Sequence, residues 1–74
     1  MQPLRVLVAE DDPVGAALLK GLLVREGHVV LGPAAMGEDA VRLARDERPD
    51  AVLMDIWLAG QMNGVEATRA ITAD

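Results

Sequence analysis

Two short apolar runs, each ending in acid, constrain this chain more than anything else in it. Residues 4–9 read LRVLVA and lead straight into Glu10-Asp11-Asp12; residues 51–54 read AVLM and are followed at once by Asp55. Apart from Arg5, these runs are aliphatic at every position rather than alternating. That pattern fits strands covered on both faces, as in a parallel sheet packed between helices. In such sheets ligands gather beyond the carboxyl ends of the strands. If the two runs are parallel neighbours, Glu10, Asp11 and Asp55 meet at one rim.

The intervening residues alternate between helix and strand signals. Asp12-Pro13 is a helix start, with an acid able to cap free N–H groups and a proline suited to the first helical position. Val14, Leu18, Leu19, Leu22 and Leu23 recur at helical spacing and predict a helix from residue 13 to about 25 or 26, with this leucine stripe as its core face. Gly21 inside it costs up to ~1 kcal/mol against alanine, and Gly27 supplies a stop. Residues 28–31 (HVVL) read as a second strand, broken by Gly32-Pro33. His28 reads as a loop or strand-edge residue rather than a ligand. A second helix opens at Gly37-Glu38-Asp39, with its acids near the positive end of the helix dipole. Ala40, Val41, Leu43 and Ala44 give its buried face, Arg42, Arg45 and Arg48 its solvated side, and Pro49 its end. The third strand is expected to reach residue 56. A loop over residues 57–62 follows, and Asn63 caps a third helix carrying Val65, Ala67, Thr68, Ala70 and Ile71. Strand and helix thus alternate three times with short connections. This predicts one α/β domain, a doubly wound parallel sheet with right-handed crossovers and strand order 2-1-3.

Composition narrows the function. A net charge of −5 argues against nucleic-acid contact, which needs clustered Lys and Arg. One Trp, with no Phe or Tyr, leaves no platform for stacked bases. Cations fit the charge better. With no Cys, disulfides and thiolate metal sites are excluded, which fits a cytoplasmic setting. The N-terminal residues lack a signal-peptide pattern, and no apolar run approaches the roughly 20 residues of a membrane span.

At the expected rim, three carboxylates close together repel one another, and a hard divalent cation relieves this. Mg2+ takes oxygen ligands, usually one or two carboxylates with waters and a phosphate oxygen. It would also shield Asp55 from an anionic phosphoryl group, leaving Asp55 able to attack phosphorus and form an acyl phosphate. The plainer alternatives are a solvated turn at Glu10-Asp11 and a loop acid at Asp55. Asp12 reads as the helix cap.

The segment VLVAEDDP, followed at this separation by PDAVLMDIWLAGQMNGVEA, resembles the receiver domain of two-component response regulators over residues 4 to about 73. The resemblance implies a flavodoxin-like fold and an aspartyl phosphate received from a histidine kinase or phosphotransfer protein. Carried over position by position, Asp55 matches the phosphoacceptor. Glu10 and Asp11 match the acidic pair, with Asp11 a direct Mg2+ ligand and Glu10 acting through water. Trp57 would give its backbone carbonyl to the ion, and Gly64 matches the glycine opening the third helix. The loop over residues 58–62 is one residue longer than the commonest form and lacks its proline. Residues 1–74 lack counterparts of the family's last two strands and helices, its switch Ser or Thr, and its Lys. Thr68, Thr72 and Lys20 lie in helices and do not substitute for them. On this reading the chain is a single incomplete receiver, βαβαβα. The outer side of its third strand would be an unpaired apolar edge, expected to drive homodimers or element-swapped oligomers.

Two other functions compete with phosphoacceptance. One is a shortened receiver that binds or dimerises without phosphate chemistry; partner affinity unchanged by Asp55→Ala would identify it. The other is a haloacid-dehalogenase-like phosphatase, which needs a second Asp two residues after the nucleophile, where Trp57 stands. A dinucleotide site fails because EDDP replaces the glycine-rich turn after the first strand. The expected function is therefore a signalling module, not an enzyme.

Overall fold

The computed structural model describes residues 2–73. Its elements are β1 (Arg5–Ala9), α1 (Pro13–Arg25), β2 (Val29–Ala34), α2 (Gly37–Glu47), β3 (Ala51–Met54) and α3 (Gly64–Thr72). The three strands form one parallel sheet in the order β2-β1-β3. The central position of β1 accounts for its composition. Val6, Leu7, Val8 and Ala9 are all 3% exposed or less, because strands flank β1 on both edges and helices cover both faces. The connections from β1 to β2 and from β2 to β3 step in opposite directions across the sheet. With right-handed crossovers that places α1 on one face and α2 on the other, and α3 packs beside α2.

Local chemistry sets the helix ends. Asp12 caps α1, accepting from the Val14 and Gly15 N–H groups at 3.2 and 3.3 Å. Asn63 caps α3 in a capping box: its side chain accepts from the Glu66 N–H at 2.9 Å, and Glu66 accepts from the Asn63 N–H at 3.0 Å. Arg48 ends α2 in the left-handed region, φ 47°, one residue before the proline. Arg5 reaches this end from β1, donating Nη1 to the carbonyls of Glu47 and Arg48 and Nη2 to the Glu47 carboxylate at 3.1 Å. The Arg5 N–H also donates to the Asp50 carboxylate at 2.8 Å. His28 lies just before β2, where its Nδ1 accepts from the Leu4 N–H at 3.0 Å.

Three expectations need correction. The leucine stripe of α1 is split: Val14, Leu18 and Leu22 are 67%, 65% and 58% exposed, whereas Ala16 is buried and Leu19 and Leu23 are half-buried. At 100° per residue the two rows lie about 130° apart, so only one of them can face a sheet. The strand β2 does not stop at Gly32-Pro33. Its pairing with β1 shifts register between Leu7 and Ala9 and resumes at Ala9 with Ala34. A bulge, with Gly32 at φ 93°, absorbs the residues that would otherwise break the ladder. Finally, β3 ends at Met54 rather than residue 56, because its partner β1 ends opposite, at Ala9. Among the described residues no helix is long and apolar enough to cross a membrane.

Candidate functional site

Register brings the acids together. Ala9 is paired with Met54, so Glu10 and Asp55 are each the first residue past the ends of adjacent parallel strands. Backbone bonds hold both: the Asp55 N–H donates to the Ala9 carbonyl and the Glu10 N–H to the Ala34 carbonyl, each at 2.9 Å. Asp11 follows, exposed, while Glu10 and Asp55 are half-buried. One carboxylate oxygen from each of Glu10, Asp11 and Asp55 lies within 4.8 Å of the other two.

Asp12 stands apart from this group, its two oxygens engaged in capping α1. The Asp12 N–H in turn donates to Glu10 Oε1 at 3.0 Å, which orients the first acid. The Trp57 N–H donates to Asp55 Oδ1 at 3.2 Å, so the backbone at Trp57 turns back beside Asp55. The Trp57 side chain is 79% exposed. Beyond the loop, the Gly64 N–H donates to the Ile56 carbonyl at 2.8 Å. A Cβ at Gly64 would overlap the Asp55 carbonyl oxygen. Only glycine lets α3 start this close to the acidic residue. Lys20 and Thr68 lie in α1 and α3, and the Thr72 hydroxyl donates to the Thr68 carbonyl of its own helix at 2.9 Å.

This donor set suits a hard cation. All three side chains offer oxygen, and none of them takes part in the ion pairs Arg5–Glu47 and Arg42–Asp39. Ligands about 2.1 Å from Mg2+ on opposite sides stand about 4.2 Å apart. Carboxylates spread over 4.8 Å are therefore close to that span, and the remainder is within side-chain adjustment or a water's reach.

Sequence reading assigned one nearby residue too little. Glu38, in the first turn of α2, reads as a helix-dipole acid, yet its Oε1 accepts from the Met62 N–H in the loop after β3 at 3.0 Å. A backbone donor gives no sequence signal. The traceable hints are Gly37 and Gly60, which both lie where that loop meets the start of α2.

The chain matches the profile of the response regulator receiver domain over residues 6–74. It is 47% identical to PilH of Pseudomonas aeruginosa over 70 residues, covering 95% of this chain and 56% of PilH. It superposes on the signal receiver domain of a modulated diguanylate cyclase from Desulfovibrio desulfuricans with TM-score 0.91 and 43% identity, covering 97% of this chain and 57% of that one. The receiver domain of a Pseudomonas aeruginosa sensor histidine kinase, with a magnesium ion coordinated in its active-site cleft, gives TM-score 0.89 and 37% identity, covering 99% of this chain and 58% of that one. The chain thus spans little more than half the length of PilH and of each of these two solved receiver chains.

Proposed function

The chain belongs to the response regulator receiver family, a family of signalling modules, and from that premise we propose that Asp55 accepts a phosphoryl group from a histidine kinase or phosphotransfer protein, with Mg2+ held beside it. The observation that carries the proposal is the meeting of Glu10, Asp11 and Asp55 oxygens within 4.8 Å at the carboxyl rim of the sheet.

Each residue has a distinct part. An Asp55 oxygen attacks phosphorus as the bond from phosphorus to the donor's histidine nitrogen breaks, and the nitrogen departs with the electron pair. The Trp57 N–H on Asp55 Oδ1 fixes which way the carboxylate faces. Asp11 would hold the ion directly, Glu10 through water, and Asp55 and the Trp57 carbonyl would complete the protein's share. When bound, the ion neutralises the rim and draws in a phosphoryl oxygen. Glu10, itself oriented by the Asp12 N–H, keeps the rim anionic enough to recruit a divalent cation. We place this activity in the cytoplasm, where phosphohistidine donors of two-component pathways work.

Incubation with acetyl phosphate and Mg2+ tests the reading. The expected product is a hydroxylamine-sensitive acyl phosphate, located at Asp55 by peptide mass and missing from Asp55→Asn. A folded chain that gives no adduct, or the same adduct in Asp55→Asn, overturns it.

A further inference from the structure

The loop carrying Trp57 is fastened at its far end to a different element. The Ala59 N–H donates to the Ala35 carbonyl at 3.1 Å, and Met36 and Ala59 form an isolated parallel bridge. Leu58 packs against Ala9, Ala34 and Ala40 in the core. The Glu38 carboxylate then closes the connection by accepting from the Met62 N–H at 3.0 Å.

Two glycines show how close this approach is. A Cβ at Gly37 would collide with the Met62 carbonyl. Gly60 takes φ 87°, and a Cβ there would stand 3.0 Å from Glu38 Oε2 and 3.1 Å from Oε1. An acid serving only the dipole of α2 needs no partner across a gap. Glu38 has one, and that partner belongs to the loop whose first residue bonds Asp55.

We propose that Glu38 is a positioning residue for the phosphoacceptor site, latching the loop of residues 57–63 to the start of α2 so that the Trp57 backbone is held beside Asp55. The proposal rests on the phosphoacceptor reading above. Trp57 sits between Asp55 on the strand side and the ties at Leu58 and Ala59, behind which the latch at Met62 holds the second half of the loop. Releasing Met62 frees the second half of the loop and removes one of the ties, beside those at Leu58 and Ala59, that keep the Trp57 N–H and carbonyl near the acids, while leaving β1 and β3 paired. Because the interaction is a carboxylate accepting from a backbone N–H, an amide oxygen can replace it. A methyl group cannot.

The test compares Glu38→Ala, Glu38→Gln and Gly60→Ala with the unsubstituted full chain. It reads Mg2+-dependent beryllofluoride affinity and exchange of the Met62 amide hydrogen. Glu38→Ala is expected to weaken beryllofluoride binding about tenfold, the scale of one lost charge-assisted hydrogen bond, and to expose the Met62 amide to exchange. Glu38→Gln is expected to recover most of both. Gly60→Ala leaves α2 untouched but strains the loop against the carboxylate, so it should shift both in the same direction. Beryllofluoride affinity in folded Glu38→Ala equal to that of the unsubstituted chain overturns the proposal. So do equal losses in Glu38→Ala and Glu38→Gln, which would make charge rather than the latch the cause. If the unsubstituted chain binds no beryllofluoride, the phosphoacceptor reading fails and the functional part of this proposal falls with it. A protected Met62 amide in Glu38→Ala, by contrast, removes the latch alone.

Discussion

Gly64 stands at the point where backbone, rather than side chain, limits the site. Its missing Cβ leaves room for the Asp55 carbonyl, and its N–H bonds Ile56, so α3 begins against the residue expected to be phosphorylated. Gly64→Ala must push either the helix start or Asp55 aside. We expect a loss of more than about 2 kcal/mol in urea unfolding, together with weakened Mg2+ binding in whatever fraction remains folded. Wild-type values for both would show that the backbone yields without cost. The acids themselves were legible in the sequence because each lies within two residues of a strand end, so recognising the strand locates the acid. The separate part of Asp12 as the helix cap was legible too, since the proline after it marks that position. Glu38 was not, because its partner is a main-chain N–H that any residue at position 62 would offer.

The sheet is locked at its opposite end from the site by β1 and α2. Arg5 donates to the last carbonyls of α2 and to the Glu47 carboxylate, so it satisfies groups that a helix C-terminus leaves bare. The Arg5 and Glu47 side chains are 42% and 48% exposed, so the ion pair itself adds little. The hydrogen bonds to the carbonyls are the larger part. Arg5→Ala should cost about 1–2 kcal/mol by chemical denaturation, and Arg5→Lys should recover only part of that, because lysine lacks the planar fork that spans two carbonyls. Equal stability of Arg5→Ala and the unsubstituted chain would refute this capping role. Strand β1 was readable because a strand buried on both faces tolerates almost nothing but aliphatics. Helix α1 misled because Val14, Leu18 and Leu22 share helical spacing with Leu19 and Leu23 while turning away from the sheet. Periodicity reports that a helix is apolar over a wide arc, not which part of the arc meets the strands. The bulge in β2 was hidden for a similar reason: Gly-Pro reads as a stop, and a register shift lets the ladder pass it.

At the scale of the whole molecule, among the described residues β3 pairs with β1 on one side only. Leu53 in β3 and Ile56 just beyond it are 41% and 52% exposed, and a groove of about 220 Å³ lies between Met54, Ile56, Gly64, Val65, Thr68 and Arg69. An unpaired parallel edge beside an apolar groove is a template for another strand. As a chain of 74 residues it is expected to sediment at micromolar concentration as a dimer or larger species; a well-folded monomer across that range would refute this. The order of strands, the alternation with helices and the rim were all predictable, since they follow from which runs are apolar and how short the connections are. The groove was not, because it depends on how α3 seats against the end of β3, and that is set by the close approach of Gly64.

What unites the three scales is a rim where two strand ends bring three carboxylates within reach of one cation. Trp57 is the sole tryptophan and its backbone N–H bonds Asp55, so its indole, two residues along the chain from Asp55, is a probe whose emission can be followed as an ion binds. The decisive measurement is a Mg2+ titration of Trp57 fluorescence in the unsubstituted chain, Asp11→Asn and Asp55→Asn. Saturable binding should weaken more than about tenfold in each variant, because at an effective dielectric near 20 a unit charge about 4 Å from a divalent ion is worth several kcal/mol. No saturable response in the unsubstituted chain, or equal affinity in all three, would contradict the account.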